Sequence, residues 1–343
     1  MKPVDYGSSG VDILEGNRAI SLMKTVVRST FTDNVLSDIG HFGGLFRADF
    51  SSMNEPVLVA STDGVGTKLK VASVMSRYGT IGMDLVNHCV NDILVQGASP
   101  LFFMDYIACG KLEAETAADI VSGLAAACSE NGCALLGGET AEMPGFYSEG
   151  DYDVAGTIIG LVEKDMIVDG SEIRPGMLII GLPSNGLHTN GYSLARKVIF
   201  ESAGLSPFDT HSLLGDRTIG DALLEVHRSY LKALRLLLAE KTVKGMAHIT
   251  GGGISGNLSR ILPADCGAII RPTWKVPAIF ELIRELGDVD IPEMRKAFNM
   301  GAGMLIVMDE RDRDKALELL GASGEEPFTA GEIISGEGIT FGD

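Results

Sequence analysis

Short apolar runs alternate with glycine-rich segments along most of the 343-residue chain, and they predict strands and helices in both halves. In the first half the pattern predicts strands at 57–60, 134–136 and 154–162 and helices at 17–28, 81–96 and 116–131. In the second half it predicts strands at 177–182, 247–250 and 304–308 and helices at 194–200 and 223–238. The charged, turn-prone stretch 163–176 separates the halves. We therefore expect an α/β (α+β) chain with two domains, residues 1–170 and 171–343.

The segment Ser61–Lys68 follows the first predicted strand and combines two glycines, a carboxylate and a lysine. Gly64 and Gly66 allow a backbone to approach a ligand closely. Asp63 offers carboxylate oxygens to Mg²⁺, and Lys68 offers a positive charge to phosphate. The segment lacks the spacing of the common phosphate-binding loops, so a magnesium-nucleotide site and an ordinary Asp-Gly turn both stay open.

A polar stripe runs along the predicted helix 81–96. Its members are short side chains at spacings of three and four residues, namely Asp84, Asn87, His88, Asn91 and Asp92. A merely solvated face would favour Lys and Glu, because Asn and Asp are poor helix formers. The stripe therefore indicates a role beyond helix stability, with a solvated face as the alternative. We expect Asp92 to join Asp63 around a metal ion.

Two further segments contribute a carboxylate and a histidine after predicted strands. Gly137–Gly145 contains Glu139, which is suited to bind metal or substrate, and Glu142, which we interpret as structural. His188 lies between two Asn-Gly pairs, where it could donate to a phosphate or a developing charge or serve a structural role. Ligands of open α/β sheets bind beyond the carboxyl ends of the strands, which favours a functional role for Glu139 and His188. Three other histidines lie in no such pattern and receive no role: His41, His211 and His227.

Three consecutive glycines, Gly251–Gly253, lie between the predicted strand 247–250 and a probable helix. Backbone N–H groups and the positive end of a helix form an anion site in such a turn. With Ser61–Lys68 this places a candidate phosphate-binding segment in each half. Two phosphorylated ligands are the natural inference.

The acidic composition limits the classes of partner that the protein is expected to bind. The net charge of −18 argues against nonspecific binding to nucleic acid, which needs basic patches. No apolar run reaches the ~18–20 residues that cross a bilayer, and the N-terminus does not resemble a secretory signal. The five cysteines lack a Cys-x-x-Cys pairing and fit free thiols in a reducing compartment. We therefore expect a cytoplasmic protein without membrane or nucleic-acid partners.

The chain resembles the phosphoribosylformylglycinamidine cyclo-ligase family from about Tyr6 to Gly331. The motifs that carry the resemblance are, in order, Gly10–Ile13, Thr62–Lys68, Val90–Asp92, Gly137–Gly145, Asp151–Gly156, His188–Ser193 and Thr250–Gly253. Together, in this order and spacing, they are very specific.

The resemblance implies ATP-dependent closure of the imidazole ring of formylglycinamidine ribonucleotide in purine biosynthesis. In that chemistry ATP phosphorylates the formyl oxygen to an iminophosphate, the amidine nitrogen attacks, and phosphate leaves. The products are aminoimidazole ribonucleotide, ADP and phosphate. Because phosphate is a good leaving group and an amide-like oxygen is a poor one, the enzyme's task is positioning and charge neutralisation.

The resemblance also implies a homodimer whose N-terminal domains pair their sheets, followed by a C-terminal α/β domain with helices packed on a mixed sheet. Residues at family positions near the ATP phosphates and Mg²⁺ are Asp63, Gly64, Gly66, Thr67, Lys68, Asn91 and Asp92, with Asp63 and Asp92 as the metal ligands. Those at catalytic positions are Lys24, Glu139 and His188, and Gly251, Gly252 and Gly253 match a substrate-phosphate site. Many relatives have a lysine before the Gly-Val-Asp motif, whereas this chain has Tyr6-Gly7-Ser8-Ser9-Gly10. We expect a mobile loop there, with serine hydroxyls and backbone N–H groups in place of the lysine.

Other ATP-using members of the same superfamily fit less well. A selenophosphate synthetase needs a reactive cysteine in its N-terminal loop, but the first cysteine is Cys89. A carbamoyl-dehydrating hydrogenase-maturation protein ends in a cysteine-bearing tail, but this chain ends in Gly342-Asp343. Thiamine-monophosphate kinase does not suit the Gly137–Gly145 and His188–Ser193 motifs. A nucleotide sensor without activity would require a broken metal site, and the expected carboxylates are present.

Overall fold

The computed structural model describes residues 10–342, and the chain divides into two compact units. Unit 1 comprises the residues up to Val90 together with Ser99–Leu161, and unit 2 comprises Asn91–Ala98 and the residues from Val162 onward. Unit 2 is therefore discontinuous in sequence. Both units mix strands and helices, which confirms the expected α/β class. The segment Tyr6–Ser9, where many relatives have a lysine and this chain has none, lies outside the described residues.

Unit 1 is built on a four-stranded mixed sheet in the order β1-β4-β2-β3. Strand β2 pairs in parallel with β3 and antiparallel with β4. Helix α4 packs on β2 and β3, and α1 packs on α4 and β3. The elements in chain order are α1 (Ile13–Arg28), β1 (Pro56–Gly64), α2 (Lys68–Met75), α3 (Ile81–Leu94), β2 (Ser99–Cys109), α4 (Ala114–Asn131), β3 (Ala134–Glu142) and β4 (Tyr152–Glu163).

Capping groups fix the ends of the helices in unit 1. The Asp12 carboxylate accepts the backbone N–H groups of Leu14 and Glu15, so α1 begins at Ile13, earlier than expected. Gly132 adopts the left-handed conformation with φ +70° and ends α4, as the sequence predicted. Glu142 accepts the backbone N–H groups of Asp12 and Leu112, which confirms its structural interpretation.

Two segments expected as loops are largely strand. Strand β1 continues through Ser61–Gly64 beside β4, so only residues 65–67 separate it from α2. Strand β3 continues to Glu142, which pairs with Cys109 at the end of β2. The predicted ends at 60 and 136 were wrong, because polar and glycine residues continue each strand after its apolar residues end. Asp63 and Glu139 are consequently held by strand backbone.

Unit 2 contains a six-stranded sheet in the order β10-β7-β9-β5-β8-β6. Strands β10 and β7 are parallel and the other neighbouring pairs are antiparallel. Every residue of β8 is buried. The elements are β5 (Leu178–Pro183), α5 (Tyr192–Arg196), α6 (Ile219–Leu223), α7 (Leu231–Ala239), β6 (Val243–His248), α8 (Gly253–Leu258), β7 (Cys266–Ile270), α9 (Ala278–Gly287), α10 (Ile291–Ala297), β8 (Ala302–Met308), α11 (Arg313–Ala322), β9 (Phe328–Ser335) and β10 (Ile339–Phe341).

The single helix expected at 223–238 was wrong, because the chain forms α6, leaves the helix, and re-enters one as α7. A capping box between Thr218 and Asp221 fixes the start of α6. In the interruption, the side chain of Asn91 bonds two backbone groups: its amide N–H donates to the Arg228 carbonyl at 2.8 Å, and its oxygen accepts the Tyr230 N–H at 3.0 Å. These bonds stabilise a non-helical backbone that local periodicity does not reveal.

One face of the unit 1 sheet exposes large apolar side chains. Leu58 on β1 is 60% exposed, and Met104 and Tyr106 on β2 are each 39% exposed. Thr62 of β1 bonds Thr157 of β4 on the same face, at 2.7 Å.

Among residues 10–342, no helix has both the length and the apolar character needed to cross a membrane.

Candidate active site

Asp63 lies at the end of β1 and is oriented by two donors. The Gly64 N–H donates to its Oδ1 at 2.7 Å, and Nε2 of His88 lies 2.8 Å from its Oδ2. The His88 side chain is buried, whereas the Asp63 side chain is 43% exposed. A buried imidazole thus fixes a carboxylate that is open to solvent, as hydrogen-bonded neighbours of metal ligands do.

The turn after Asp63 brings the chain directly into α2. Gly66 is exposed and has φ +68°, a conformation that favours glycine, and Thr67 is the exposed N-cap residue of α2. The Val65 N–H donates to the Val154 carbonyl of β4 and holds the turn at its centre. Gly66 and Thr67 therefore present backbone to solvent at the place where the sequence predicted nucleotide contacts.

Lys68 points into unit 1. Its ammonium group donates to Asp84 of α3 at 2.8 Å, and both side chains are fully buried. A buried lysine is stable only with such a partner, because an unpaired charge in the interior costs several kcal/mol. The role predicted for Lys68, contact with the ATP phosphates, stays a prediction. In this structure its charge compensates Asp84, the first member of the polar stripe.

Lys24 and Glu139, both predicted to be catalytic, line one cavity of unit 1 with a volume of about 330 Å³. Glu139 is exposed on β3, where it pairs with Tyr106 of β2. Nζ of Lys24 on α1 lies 3.8 Å from Asp38, and both side chains are about 40% exposed. A carboxylate and an ammonium group that face the same opening can orient a polar ligand from two sides.

In unit 2 a chain of hydrogen-bonding groups leads from Asp92 to Thr189. Nδ1 of His248 lies 2.8 Å from Oδ1 of Asp92, and Nε2 of His248 lies 3.0 Å from Nε2 of His227. Nδ1 of His227 lies 3.3 Å from the Thr189 hydroxyl. An ionised Asp92 can only accept, so Nδ1 of a neutral His248 donates to it. Nε2 of His227 faces both Nε2 of His248 and the amide nitrogen of Asn91, at 3.0 and 3.3 Å.

The ring of His188 stacks on His227, a member of this hydrogen-bonded series. Its ring lies 4.0 Å from the ring of His227 with an interplanar angle of 18°, and the residue is only 1% exposed. His188 has φ +62°, an uncommon conformation for a residue with a side chain. A Cβ atom at Gly303 would lie 2.9 Å from the His188 ring and 1.9 Å from the Tyr230 hydroxyl oxygen, so a side chain at position 303 would displace them. Its surroundings therefore fix the ring in one place.

The glycine turn at 251–253 is closely packed against the chain at Arg295. Gly252 and Gly253 have φ +93° and +60°, and a Cβ at Gly253 would meet the Arg295 carbonyl at 1.8 Å. The side-chain amide of Asn257 donates to the Gly253 carbonyl at 2.8 Å and to the Gly251 carbonyl at 3.3 Å. Gly251 is exposed at the tip of this turn.

His227 is the functional candidate that the sequence did not reveal. It lies in the interruption between α6 and α7, where a continuous helix was expected. Its partners Asn91, Thr189 and His248 come from three separate parts of the chain. The one available signal was its place among apolar residues in the segment 223–238, which is weak because a buried histidine is usually structural.

Comparison with known proteins decides the family. The model of the AIR synthase related protein N-terminal domain matches residues 48–162, and the model of the C-terminal domain matches residues 174–343. A phosphoribosylformylglycinamidine cyclo-ligase from Thermoanaerobacter sp. (strain X514) is 50% identical over 98% of this chain and 99% of its own length. The chain belongs to the phosphoribosylformylglycinamidine cyclo-ligase family. The resemblance inferred from the motifs is thereby confirmed.

Solved structures share the fold of this cyclo-ligase family member at low identity. Thiamine-monophosphate kinase from Stenotrophomonas maltophilia K279a has a TM-score of 0.65 and 16% identity, covering 93% of this chain and 95% of the kinase. The hydrogenase maturation protein HypE in complex with ATP has a TM-score of 0.65 and 18% identity, covering 93% of this chain and 86% of HypE. At such identities the likeness concerns the fold alone.

Proposed function

We propose that the protein closes the imidazole ring of formylglycinamidine ribonucleotide at the expense of ATP, giving aminoimidazole ribonucleotide, ADP and phosphate. The observation that carries this proposal is near-full-length identity of 50% to a phosphoribosylformylglycinamidine cyclo-ligase. The carboxylates and histidines expected for that chemistry are all present, and buried partners hold Asp63, Asp92 and His188 in place.

ATP and Mg²⁺ are the ligands that this function needs, and the donor set suits them. Asp63 and Asp92 supply hard carboxylate oxygens, and their side chains are 43% and 27% exposed. Each also has a buried histidine at 2.8 Å that fixes the carboxylate. We therefore propose Asp63 and Asp92 as the magnesium ligands. The ion would supply positive charge to the ATP phosphates; Asn91, Gly64, Gly66 and Thr67 would shape the surrounding backbone.

The remaining residues divide between binding and charge stabilisation. The turn Gly251–Gly253 would hold the phosphate of the ribonucleotide at its exposed tip, Gly251, because the N–H groups of Gly252 and Gly253 donate to the carbonyls of Lys296 and Thr250. Lys24 would neutralise negative charge on the transferred phosphoryl group, and Glu139 would orient the amidine by accepting its N–H groups. The buried ring of His188 would act through His227, on which it stacks, by holding that ring in place. Ring closure then requires that the amidine nitrogen be held against the activated carbon and that it lose a proton as the C–N bond forms and phosphate departs.

A homodimer in the cytoplasm completes the proposal. The support for self-association is the sheet face of unit 1, where Leu58, Met104 and Tyr106 are exposed. Equal patches on two copies can bury each other in an isologous interface. Sedimentation velocity should give a dimer mass, and Met104→Lys should shift the population towards monomer.

The direct test supplies the purified protein with ATP, Mg²⁺ and formylglycinamidine ribonucleotide. We expect ADP to form only when the ribonucleotide is present, with one aminoimidazole ribonucleotide per ADP. Thiamine monophosphate in place of the ribonucleotide is the control for the kinase that shares the fold. Absence of ribonucleotide-dependent ADP would refute the proposed function.

A further inference from the structure

A small cavity in unit 2 has no part in the proposed function. It has a volume of about 130 Å³ and is formed by α8, α10, β10 and the segments 272–276 and 298–300. Among its lining residues, Ile254 and Phe298 are buried, with 4% and 1% exposure, whereas Val276 and Ile291 are 39% and 40% exposed. The cavity therefore has an apolar floor inside unit 2 and a mouth that opens to solvent.

The size and the walls of this cavity favour a single aromatic ring. An apolar cavity of about 150 Å³ is large enough to hold benzene. Trp274, Phe298 and Phe341 contribute three aromatic side chains to the walls. The indole of Trp274 is held in place, because its Nε1–H donates to the Met300 carbonyl at 2.9 Å and its ring stacks on Phe328 at 4.7 Å. Aromatic walls in fixed positions pack well against a flat ring.

Arg295 is the polar group of the cavity that is available to a ligand. The side-chain amide of Asn299 is already used, because its oxygen accepts the Ser184 hydroxyl at 2.7 Å and its nitrogen donates to the Gly186 carbonyl at 2.9 Å. The guanidinium of Arg295 lies 4.0 Å from the centroid of the Phe341 ring. Within residues 10–342, no carboxylate lies within ion-pair distance of this guanidinium. An arginine without a carboxylate partner can bind a carboxylate of a ligand through two parallel N–H bonds.

The residues that line the cavity also support two segments of the candidate active site. A Cβ at Gly253 would lie 1.8 Å from the Arg295 carbonyl oxygen, and a Cβ at Gly191 would lie 2.2 Å from the Phe298 ring. The glycine turn at 251–253 and the segment His188–Ser193 thus pack directly on α10 and on the residue that follows it. A ligand that changes the position or the mobility of α10 and Phe298 is therefore transmitted to both segments.

We propose that this cavity is an effector site for a small aromatic carboxylate. The ring packs beside Trp274 and Phe298, and the carboxylate pairs with Arg295. A ligand that fills the space holds Phe298 and α10 against the glycine turn, so the ribonucleotide, whose phosphate that turn is proposed to hold, binds more tightly. This coupling to the ribonucleotide rests on the proposed function, whereas binding of the carboxylate does not.

Binding can be measured directly, because Trp274 is the single tryptophan of the chain. Titration of the full-length protein with benzoate should change its tryptophan fluorescence saturably, with a dissociation constant of about 0.1–1 mM. Benzyl alcohol, which has the ring without the charge, should bind about tenfold more weakly. Arg295→Met should weaken benzoate to the same extent. Arg311→Met removes an exposed arginine of unit 2 outside the cavity, and this matched control should bind benzoate like wild type.

A second variant blocks the cavity without touching the charge. Val276→Phe enlarges an exposed side chain at the mouth, so it should abolish the benzoate response while Arg295 stays in place. Thermal melts of the variants separate lost binding from lost folding, and Val276→Phe keeps the test valid if Arg295→Met unfolds.

The coupling is tested in both directions. Saturating benzoate should lower KM for the ribonucleotide about fivefold at unchanged kcat, and the ribonucleotide should tighten benzoate by a similar factor, which fluorescence reports without turnover. Four outcomes would overturn the inference: a fluorescence change that does not saturate, wild-type affinity of Arg295→Met for benzoate, wild-type affinity of Val276→Phe for benzoate, or no mutual effect of benzoate and the ribonucleotide. If wild type forms no ribonucleotide-dependent ADP although benzoate binds and requires Arg295, the proposed function fails and the benzoate site stands.

Discussion

Two lysine–aspartate pairs of unit 1 share the same chemistry and differ in environment. Lys68 and Asp84 lie 2.8 Å apart with both side chains at 0% exposure. Lys24 and Asp38 lie 3.8 Å apart with 43% and 40% exposure. The Arg28 guanidinium, which donates to Asp38 through Nε at 2.7 Å, holds the pKa of that carboxyl well below its usual range. Asp38 thus has a stronger partner than Lys24.

The difference in burial determines whether each lysine stabilises the fold or is available to a ligand. A buried pair is costly to break, because the remaining partner is left charged without water. An exposed pair at 3.8 Å contributes ~0–1 kcal/mol, so its lysine can turn to a ligand at little cost. Both lysines occupy positions expected near ATP. We nevertheless expect Lys68 mainly to stabilise the fold and Lys24 mainly to contribute to turnover.

The largest effect should come from Lys68→Met, which leaves the Asp84 carboxylate buried without its cation. We expect the free energy of unfolding to fall by about 3–5 kcal/mol, measured by urea denaturation. Lys70→Met is the matched control, since Lys70 pairs with Asp151 at 2.6 Å on the surface and should change stability by less than about 1 kcal/mol. Equal stability of the two variants would remove the contrast.

The double variant Lys68→Met/Asp84→Leu sharpens the same point. Replacing both charges with apolar groups of similar size should recover most of the loss, because buried ion pairs contribute little net stability. If the double variant is as unstable as Lys68→Met alone, packing rather than charge explains the effect.

A half-buried pair offers the next test. Asp92→Asn keeps the oxygen that faces His248 and removes the charge from a side chain that is 27% exposed. We expect kcat/KM for Mg²⁺-ATP to fall about 100-fold with stability nearly unchanged. Manganese binding, followed by its paramagnetic resonance, should weaken in parallel. Near-normal turnover of Asp92→Asn would contradict the assignment of Asp92 as a metal ligand.

His188→Asn comes third. Asparagine tolerates the positive φ of position 188, so the variant removes the ring without adding backbone strain. We expect kcat to fall about tenfold or more at unchanged KM for the ribonucleotide, because the ring that holds His227 in place is lost. A wild-type kcat would return His188 to a structural role.

Lys24→Met should have the smallest effect on the fold. Its unfolding free energy should stay within about 0.5 kcal/mol of wild type, because the side chain is exposed and its pair is weak. Turnover at limiting ATP should drop several-fold, and Lys24→Arg should restore part of it. A stability loss as large as that of Lys68→Met would erase the distinction between the two lysines.

Local patterns in the sequence predicted the elements that local physics determines. Helix α3 was expected at 81–96 and spans Ile81–Leu94, and α4 ends at Gly132 as its left-handed cap requires. The motifs also identified Asp63, Asp92, Glu139 and His188 as polar groups of interest. Each of these residues lies in the structure beside a named partner or in a cavity.

Long-range partners explain what the sequence did not predict. The break between α6 and α7 depends on Asn91, which lies more than a hundred residues earlier in the chain. The burial of Lys68 depends on Asp84, and the role of His227 depends on His248 and Thr189. Periodicity within a short window contains none of these pairings.

The discontinuity of unit 2 has a consequence for biosynthesis on the ribosome. The segment Asn91–Ala98 emerges before the rest of that unit, and the backbone groups that Asn91 bonds, at Arg228 and Tyr230, are made much later. The nascent chain must therefore keep this segment available while unit 1 forms around its flanks. A fragment that starts at Val162 lacks the segment Asn91–Ala98. Cutting the chain near its midpoint therefore does not give the whole of unit 2.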